Sequence, residues 1–315
     1  MTGTITLRQN LSPFAWCTDV DHVDESVRPI LLLSAKERLA YMRRPKWFSY
    51  AAADAILDRL EGLLDYPPSH RMPGLQILGD SNSGKTAVGL EFLARHPMDA
   101  NLEGDAAIIP VVRIEVPPNP DESRLYDEIF LALRQPFRAR DPVSEKARQV
   151  RALLDSVGCR VLLLDEFQHV LGPRNDRRRV VMDVVKHLGN ILRLSVVVLG
   201  TTEAQVAVSK DEQLANRLTP IWMPTWRMDG EYRRLLASFE ATLPLREPSR
   251  LQQRDTAALI LGLSEGLLGE MRDLLCLAVA EALHQGEESI TQELLRSIGW
   301  TPPSDRRRRI ATARA

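Results

Sequence analysis

Residues 79–86 read GDSNSGKT, a glycine-rich octapeptide that fits the phosphate-loop pattern G-x-x-x-x-G-K-[ST]. It follows the apolar run Leu75, Gln76, Ile77, Leu78 and precedes apolar positions at Ala87, Val88, Leu90, Phe92 and Leu93 that suit a helix. A strand that delivers such a loop to a helix start aims several backbone N–H groups at one point, where they can cradle nucleotide phosphates. Gly79, Asp80, Ser81, Asn82, Ser83 and Gly84 are therefore candidate nucleotide-binding residues. Lys85 would reach the β- and γ-phosphates of ATP, and the Thr86 hydroxyl would ligate Mg2+. Further on, the apolar run Leu162, Leu163, Leu164 ends in Asp165 and Glu166. Adjacent residues at a strand end point in different directions, so Asp165 can join the Mg2+ shell while Glu166 addresses a water as general base. The competing readings are a chance Gly/Ser turn for the first segment and an exposed acidic turn after a strand for the second. Their order in one chain favours nucleotide chemistry.

A carboxylate at 166 argues for an ATPase with a catalytic glutamate and against a Ras-like GTPase. Thr201 follows the apolar run 195–199 and Gly200. At the carboxyl end of a parallel strand its hydroxyl can sense the γ-phosphate, and a turn that caps the next helix is the competing reading. Arg217, at the end of the following helix, could enter a neighbouring subunit's ATP site as an arginine finger, although the residues alone favour a surface salt bridge. Three basic clusters could meet phosphate: Arg134, Arg138 and Arg140; Arg174, Arg177, Arg178 and Arg179; and Arg306 to Arg309. Charge runs are more often solvated faces. Repeated around a ring or helix of subunits, however, they would form a track for duplex DNA without base preference.

These groups need strands and helices to hold them. An amphipathic helix is expected from residue 51 up to the Pro67-Pro68 break, and strands at 75–78, 106–116, 160–165, 195–199 and 221–223. Helices around 126–133, at 145–157 and at 180–192 alternate with them. That alternation predicts an α/β fold with a parallel sheet covered by helices. Beyond 229 only helical periodicity remains. The expected division is an N-terminal helical extension (1–47), a nucleotide-binding α/β domain (48–228), a small all-α lid (229–303) and a basic, disordered tail (304–315). Ser34 and Glu37 have the spacing of a capping box.

Composition agrees with a globular protein. Residues are 44% hydrophobic and the net charge is −1, so bulk electrostatics does not make this a nucleic-acid coat. Cys17, Cys159 and Cys276 form no pair of disulfide or zinc type and read as idle thiols of a reducing cytoplasm. The start of the chain lacks a basic segment followed by an apolar one, and no stretch reaches the roughly 18 apolar residues of a membrane span.

GDSNSGKT, VLLLDEFQHVL, KHLGNILRLSVVVLGTTEA and DEQLANRL, in this order and spacing, resemble the AAA+ transposition helper ATPases. Within these the likeness is to the TniB proteins of mercury-resistance-type transposons, close to the TnsC regulators of Tn7-like elements. It covers 48–228 well and the helical C-terminal part loosely. The resemblance implies an AAA+ core with a helical lid, using ATP and Mg2+, that assembles as a ring or filament on duplex DNA. It also implies that the assembly marks a target and passes it to a DDE transposase, often with a TniQ-type partner. Residue by residue, it matches Lys85 and Thr86, Asp165 and Glu166, Thr201 as first sensor and Arg217 as arginine finger. It places Arg272 where a second-sensor arginine sits on a lid helix. Phe167, Gln168 and His169 depart from the pattern, in which a histidine lies nearer the acids, so no catalytic role falls to His169. Two other readings share parts of these motifs: a nucleotide-gated scaffold with negligible turnover, and a phosphate-loop kinase of small molecules.

Overall fold

The computed structural model describes residues 20–171 and 175–313, and the side chains of all of these except 175–178 and 310–313. Cys17 and Arg174 lie outside the described residues, as do the side chains of Arg177 and Arg178. After a 3-10 segment (Arg28–Leu32), the chain runs through α1 (Ala35–Arg43), α2 (Ala51–Leu64), β1 (Gly74–Leu78), α3 (Lys85–Arg95) and β2 (Val111–Glu115). It continues with α4 (Glu122–Ala132), α5 (Val143–Ser156), β3 (Val161–Asp165), a 3-10 turn (Phe167–Leu171), α6 (Asn175–Ile191) and β4 (Ser195–Gly200). Next come α7 (Thr202–Ser209), α8 (Glu212–Ala215) and β5 (Leu218–Trp222). Helices α9 (Gly230–Ala241), α10 (Arg254–Ser264), α11 (Leu268–Gln285), α12 (Gln292–Ser297) and α13 (Pro303–Ala313) complete it. No described helix is long and apolar enough to cross a membrane.

Two compact units result. Ser49–Thr225 forms one; the other joins residues 20–48 with residues 226–313. In the first, five parallel strands take the order β2-β3-β4-β1-β5. The three inner strands are buried at every position, whereas β2 and β5 each expose residues at the sheet's edges. That explains why β1, β3 and β4 read as continuous apolar runs. Two edge assignments need correction. Strand β2 begins at Val111 instead of 106, because Pro110 precedes it and Ile108 pairs with Asp99 in a separate bridge. Strand β5 begins at Leu218, ahead of the expected 221, because an edge strand tolerates Pro220, which has no N–H to donate.

On one sheet face, Val112, Ile114, Leu162, Leu164, Val196 and Val198 pack with Tyr126, Ile129 and Phe130 of α4 and with side chains of α5 and α6. Each large apolar side chain buried in this way contributes roughly 1.5–3 kcal/mol relative to exposure. Cys159 is buried, which pushes its thiol up to about 12.

In the second unit the N-terminal segment is no separate extension. Asp24 N–H donates to the Ala241 carbonyl (2.8 Å), Arg38 Nε to the Pro244 carbonyl (2.7 Å), and the rings of Phe48 and Phe239 lie 4.3 Å apart. The Ser34–Glu37 capping box forms and starts α1. The tail expected to be disordered is helix α13, with Pro303 as its first residue, a position where a missing N–H costs nothing. Its arginines are offset by acids of the same unit: Arg306 pairs with Glu270 and lies 5.4 Å over the Trp300 ring, Arg307 pairs with Glu265, and Ser304 N–H donates to Glu265 (2.8 Å). Sequence patterning could not anticipate this docking, because the acids lie some forty residues upstream of the arginines they meet (|i−j| of 36 and 42).

Candidate nucleotide site

Parallel strands end on a common edge. The pairing of Leu78 with Gly200, and of Leu164 with Val198, brings the phosphate loop, the Gly200–Thr201 junction and the Asp165–Glu166 pair out side by side. Gly79 N–H donates to the Gly200 carbonyl (3.2 Å), joining the loop to β4. Asn82 (φ 66°) and Gly84 (φ 100°) turn the chain into α3. Gly79 has no room for a side chain, since a Cβ there would stand 2.8 Å from Ser83 Oγ. The Ser83 hydroxyl oxygen is buried without a hydrogen-bond partner among the described residues. Together with the first N–H groups of α3, which have no acceptor within the helix, this cradle fits a nucleotide phosphate. Ser81 and Asn82 are exposed, and Thr86 is half-buried in the first turn of α3.

Lys85 is 6% exposed, and its ammonium donates to the carbonyls of Gly79 (2.9 Å) and Asp80 (2.7 Å). Burial pushes its pKa below the usual lysine value, against the opposing pull of Glu166, Asp165 and Asp80. Asp165 is 1% exposed. One carboxylate oxygen accepts from Arg113 Nη2 (2.6 Å), the other from Glu166 N–H (2.9 Å). Arg113 reaches it because Glu115 faces Asp165 in register, and residues two apart share a face of the sheet. Glu166 has φ 55°, the left-handed region that a non-glycine residue enters at a cost of order 1–3 kcal/mol. Its carboxylate accepts from the side-chain amide of Gln168, whose carbonyl oxygen accepts from Thr201 N–H (3.3 Å).

Thr201 stands at the N-cap of α7, yet its side chain makes no capping bond; the hydroxyl donates to the Glu203 carboxylate, which that bond holds below its usual pKa. His169 is engaged with the Val116 carbonyl through Nδ1 (2.7 Å). The structure does not bring Arg217 to these groups. It precedes β5, its carbonyl accepts from the N–H of Gly74 at the start of β1 (3.1 Å), and its guanidinium donates to Asn190 (2.5 Å). It therefore lies at the amino edge of the sheet, about 16 Å of strand away from the phosphate-loop edge. Arg272 belongs to the other unit, where it donates to the Arg43 carbonyl (3.0 Å) and lies 3.5 Å from Asp273. Arg134, Arg138, Arg140 and Arg179 are exposed, as are Arg306 to Arg309.

Two residues of the site, Arg113 and Gln168, escaped the sequence reading. The available signals were a lone cation in the strand VVRIE and an amide two positions after the acid pair.

Residues 38–228 match the family model described as Bacterial TniB protein. Among solved structures, the chain is similar to the Aeropyrum pernix ORC2 protein in its ADPNP-ADP complexes, at 17% identity and TM-score 0.59, covering 82% of this chain and 70% of that one. It is also similar to the Aeropyrum pernix ORC1 protein in complex with DNA, at 17% identity and TM-score 0.59, covering 83% and 68%. A third is the Cdc6p protein of Pyrobaculum aerophilum, at 18% identity and TM-score 0.57, covering 82% and 69%. At these identities the likeness establishes the AAA+ α/β fold. No curated protein matches the chain.

Proposed function

Because the chain belongs to the bacterial TniB family, we propose that it is an ATP-dependent, DNA-binding regulator of transposition. It oligomerises on duplex DNA, hydrolyses ATP, and selects or presents target DNA to a DDE transposase, with a TniQ-type protein as a further partner. The observation that carries this reading is the separation of the site's parts. Lys85, Asp165, Glu166 and Thr201 stand at one edge of the sheet and Arg217 at the other, so a protomer completes its site only with a neighbour's arginine. Nucleotide binding then favours assembly.

In this mechanism the loop from Gly79 to Gly84 and the ammonium of Lys85 hold the phosphates. Thr86 and Asp165 would hold Mg2+, which would supply positive charge against the nucleotide's phosphates. Glu166 takes the proton of a water whose oxygen bonds to the γ-phosphorus as the bond to the bridging oxygen breaks, leaving ADP and phosphate. Thr201 orients that water, Arg217 of the neighbour meets the developing charge, and Arg272 keeps the second-sensor role that the family resemblance implies. Turnover is slow or partner-stimulated, in keeping with an Asp165 carboxylate already engaged by Arg113. The exposed arginines of the 134–140 segment and Arg179 contact phosphates, so binding carries no sequence preference and falls steeply with salt. The DNA complex of the ORC1 structure and the nucleotide complexes of the ORC2 structure support the same assignment. The protein acts in the cytoplasm, where the transposon's DNA is.

Negative-stain imaging with duplex DNA under ATP, ADP and a slowly hydrolysed analogue tests the reading. Rings or filaments only in the triphosphate states are expected. Dispersed protein in every state overturns it. Glu166→Gln separates a hydrolase from a scaffold: the hydrolase loses turnover and holds its oligomer on DNA longer.

A further inference from the structure

We propose that Gln168 is a positioning residue that aims the general base Glu166 and ties it to the strand end beside the phosphate loop. The inference rests on the ATPase reading above. Three independent features place the side chain. Its amide donates to one oxygen of the Glu166 carboxylate, its carbonyl oxygen accepts from Thr201 N–H at 3.3 Å, and Gly200 leaves it space. A Cβ at position 200 would stand 2.4 Å from the Ala204 Cβ and 2.8 Å from the Gln168 carbonyl oxygen, so the glycine of Gly200-Thr201 leaves room for both.

The chemical need is plain. Glu166 sits on a left-handed backbone at the end of β3, and a free glutamate there has three side-chain torsions to order. An amide donor on one carboxylate oxygen fixes the plane of the group and leaves the other oxygen to accept a water's proton. Because Gly79 N–H bonds to the Gly200 carbonyl, the links Gly79, Gly200, Thr201, Gln168 and Glu166 run unbroken from the loop to the base. A shift of the phosphate loop is therefore carried to the Glu166 carboxylate through one amide side chain.

Two variants separate the two hydrogen bonds. Gln168→Ala removes both; Gln168→Glu keeps the acceptor for Thr201 N–H and loses the donor to Glu166. A well-placed general base is worth about 10²–10⁴-fold, so both variants, which leave the base present but poorly aimed, should lose about 10-fold or more in kcat. Affinity for a fluorescent ATP analogue and KM should stay within about twofold, because the phosphate-binding loop is intact. Hydrogen exchange of the peptide spanning the β4–α7 junction, measured without nucleotide, reads the other bond: protection falls in Gln168→Ala and persists in Gln168→Glu. A Gln168→Glu protein with wild-type kcat overturns the role of Gln168 while the ATPase reading stands. So does a Gln168→Ala protein with unchanged exchange. Wild-type protein that binds ATP without hydrolysing it, with and without duplex DNA, overturns the ATPase reading and this role together.

Discussion

Replacing Arg113 by methionine removes the cation that holds a carboxylate only 1% exposed, leaving the charge of Asp165 buried. Breaking a buried ion pair by deleting one partner costs about 3–5 kcal/mol; with the Arg113 side chain 19% exposed, water screens part of this, and about 2–4 kcal/mol is expected. For a unit of this size each kcal/mol corresponds to about 2–4 °C, so Arg113→Met should lower the melting temperature by about 6–12 °C at the middle of that range. The informative arm is the double variant. An amide at 165 needs no cation, so Arg113→Met with Asp165→Asn should be more stable than Arg113→Met alone, a coupling of about 1 kcal/mol or more. Thermal and urea unfolding of the four proteins of this cycle, in the absence of nucleotide, measure it. On the proposed role of Asp165, Mg2+ with ATP would bring a new cation to the same carboxylate and should raise the melting temperature of Arg113→Met by more than that of the wild type. An Arg113→Met protein that melts within about 1 °C of the wild type, or strictly additive losses in the double variant, would refute the argument that Asp165 depends on this arginine.

Lys146 is fully buried and donates to Asp127 (2.6 Å), Ser123 (2.9 Å) and the Ala139 carbonyl (3.1 Å). Lys146→Met leaves a partly exposed Asp127, so it should cost about 2–4 kcal/mol in urea unfolding and speed proteolysis after Arg138 and Arg140, since the loop loses its anchor; unchanged cleavage would count against that anchoring. Burial lowers the pKa of Lys46 to about 8 from 10.5. Between those values the unfolded chain binds the extra proton, so stability rises with pH there. The wild type should gain on Lys46→Met between pH 8 and 10, and a flat difference speaks against the burial effect. If Arg217 acts on a neighbour's nucleotide, mixing inactive Arg217→Ala and Glu166→Gln proteins should restore about a quarter of wild-type turnover, the statistical share of intact interfaces. No recovery in mixed oligomers contradicts action between subunits.

The geometry of the loop was legible because its residues are contiguous. A strand, a glycine turn and a helix start are local structures, so GDSNSGKT placed Lys85 and Thr86 without long-range information. The inner strands were equally legible, since burial on both faces demands unbroken apolar runs. The edge strands were not, because the burial that marks a strand weakens where a neighbour is missing and a proline becomes tolerable.

What the chain alone determined is therefore a glycine loop between strand and helix, an acid pair at a strand end and an alternation that implies a parallel sheet. The tertiary structure decided the rest. Strand order set Asp165 beside Arg113, which is 52 residues away in sequence, and Thr201 beside Gln168, 33 residues away. It also set Arg217 on the opposite edge from Lys85 and gave the C-terminal arginines their acidic partners. The physical reason is common to all of these. Local sequence carries the backbone's period and its turns, whereas the partner of a buried charge or a lone amide is whatever the crossing of distant elements brings within about 3 Å.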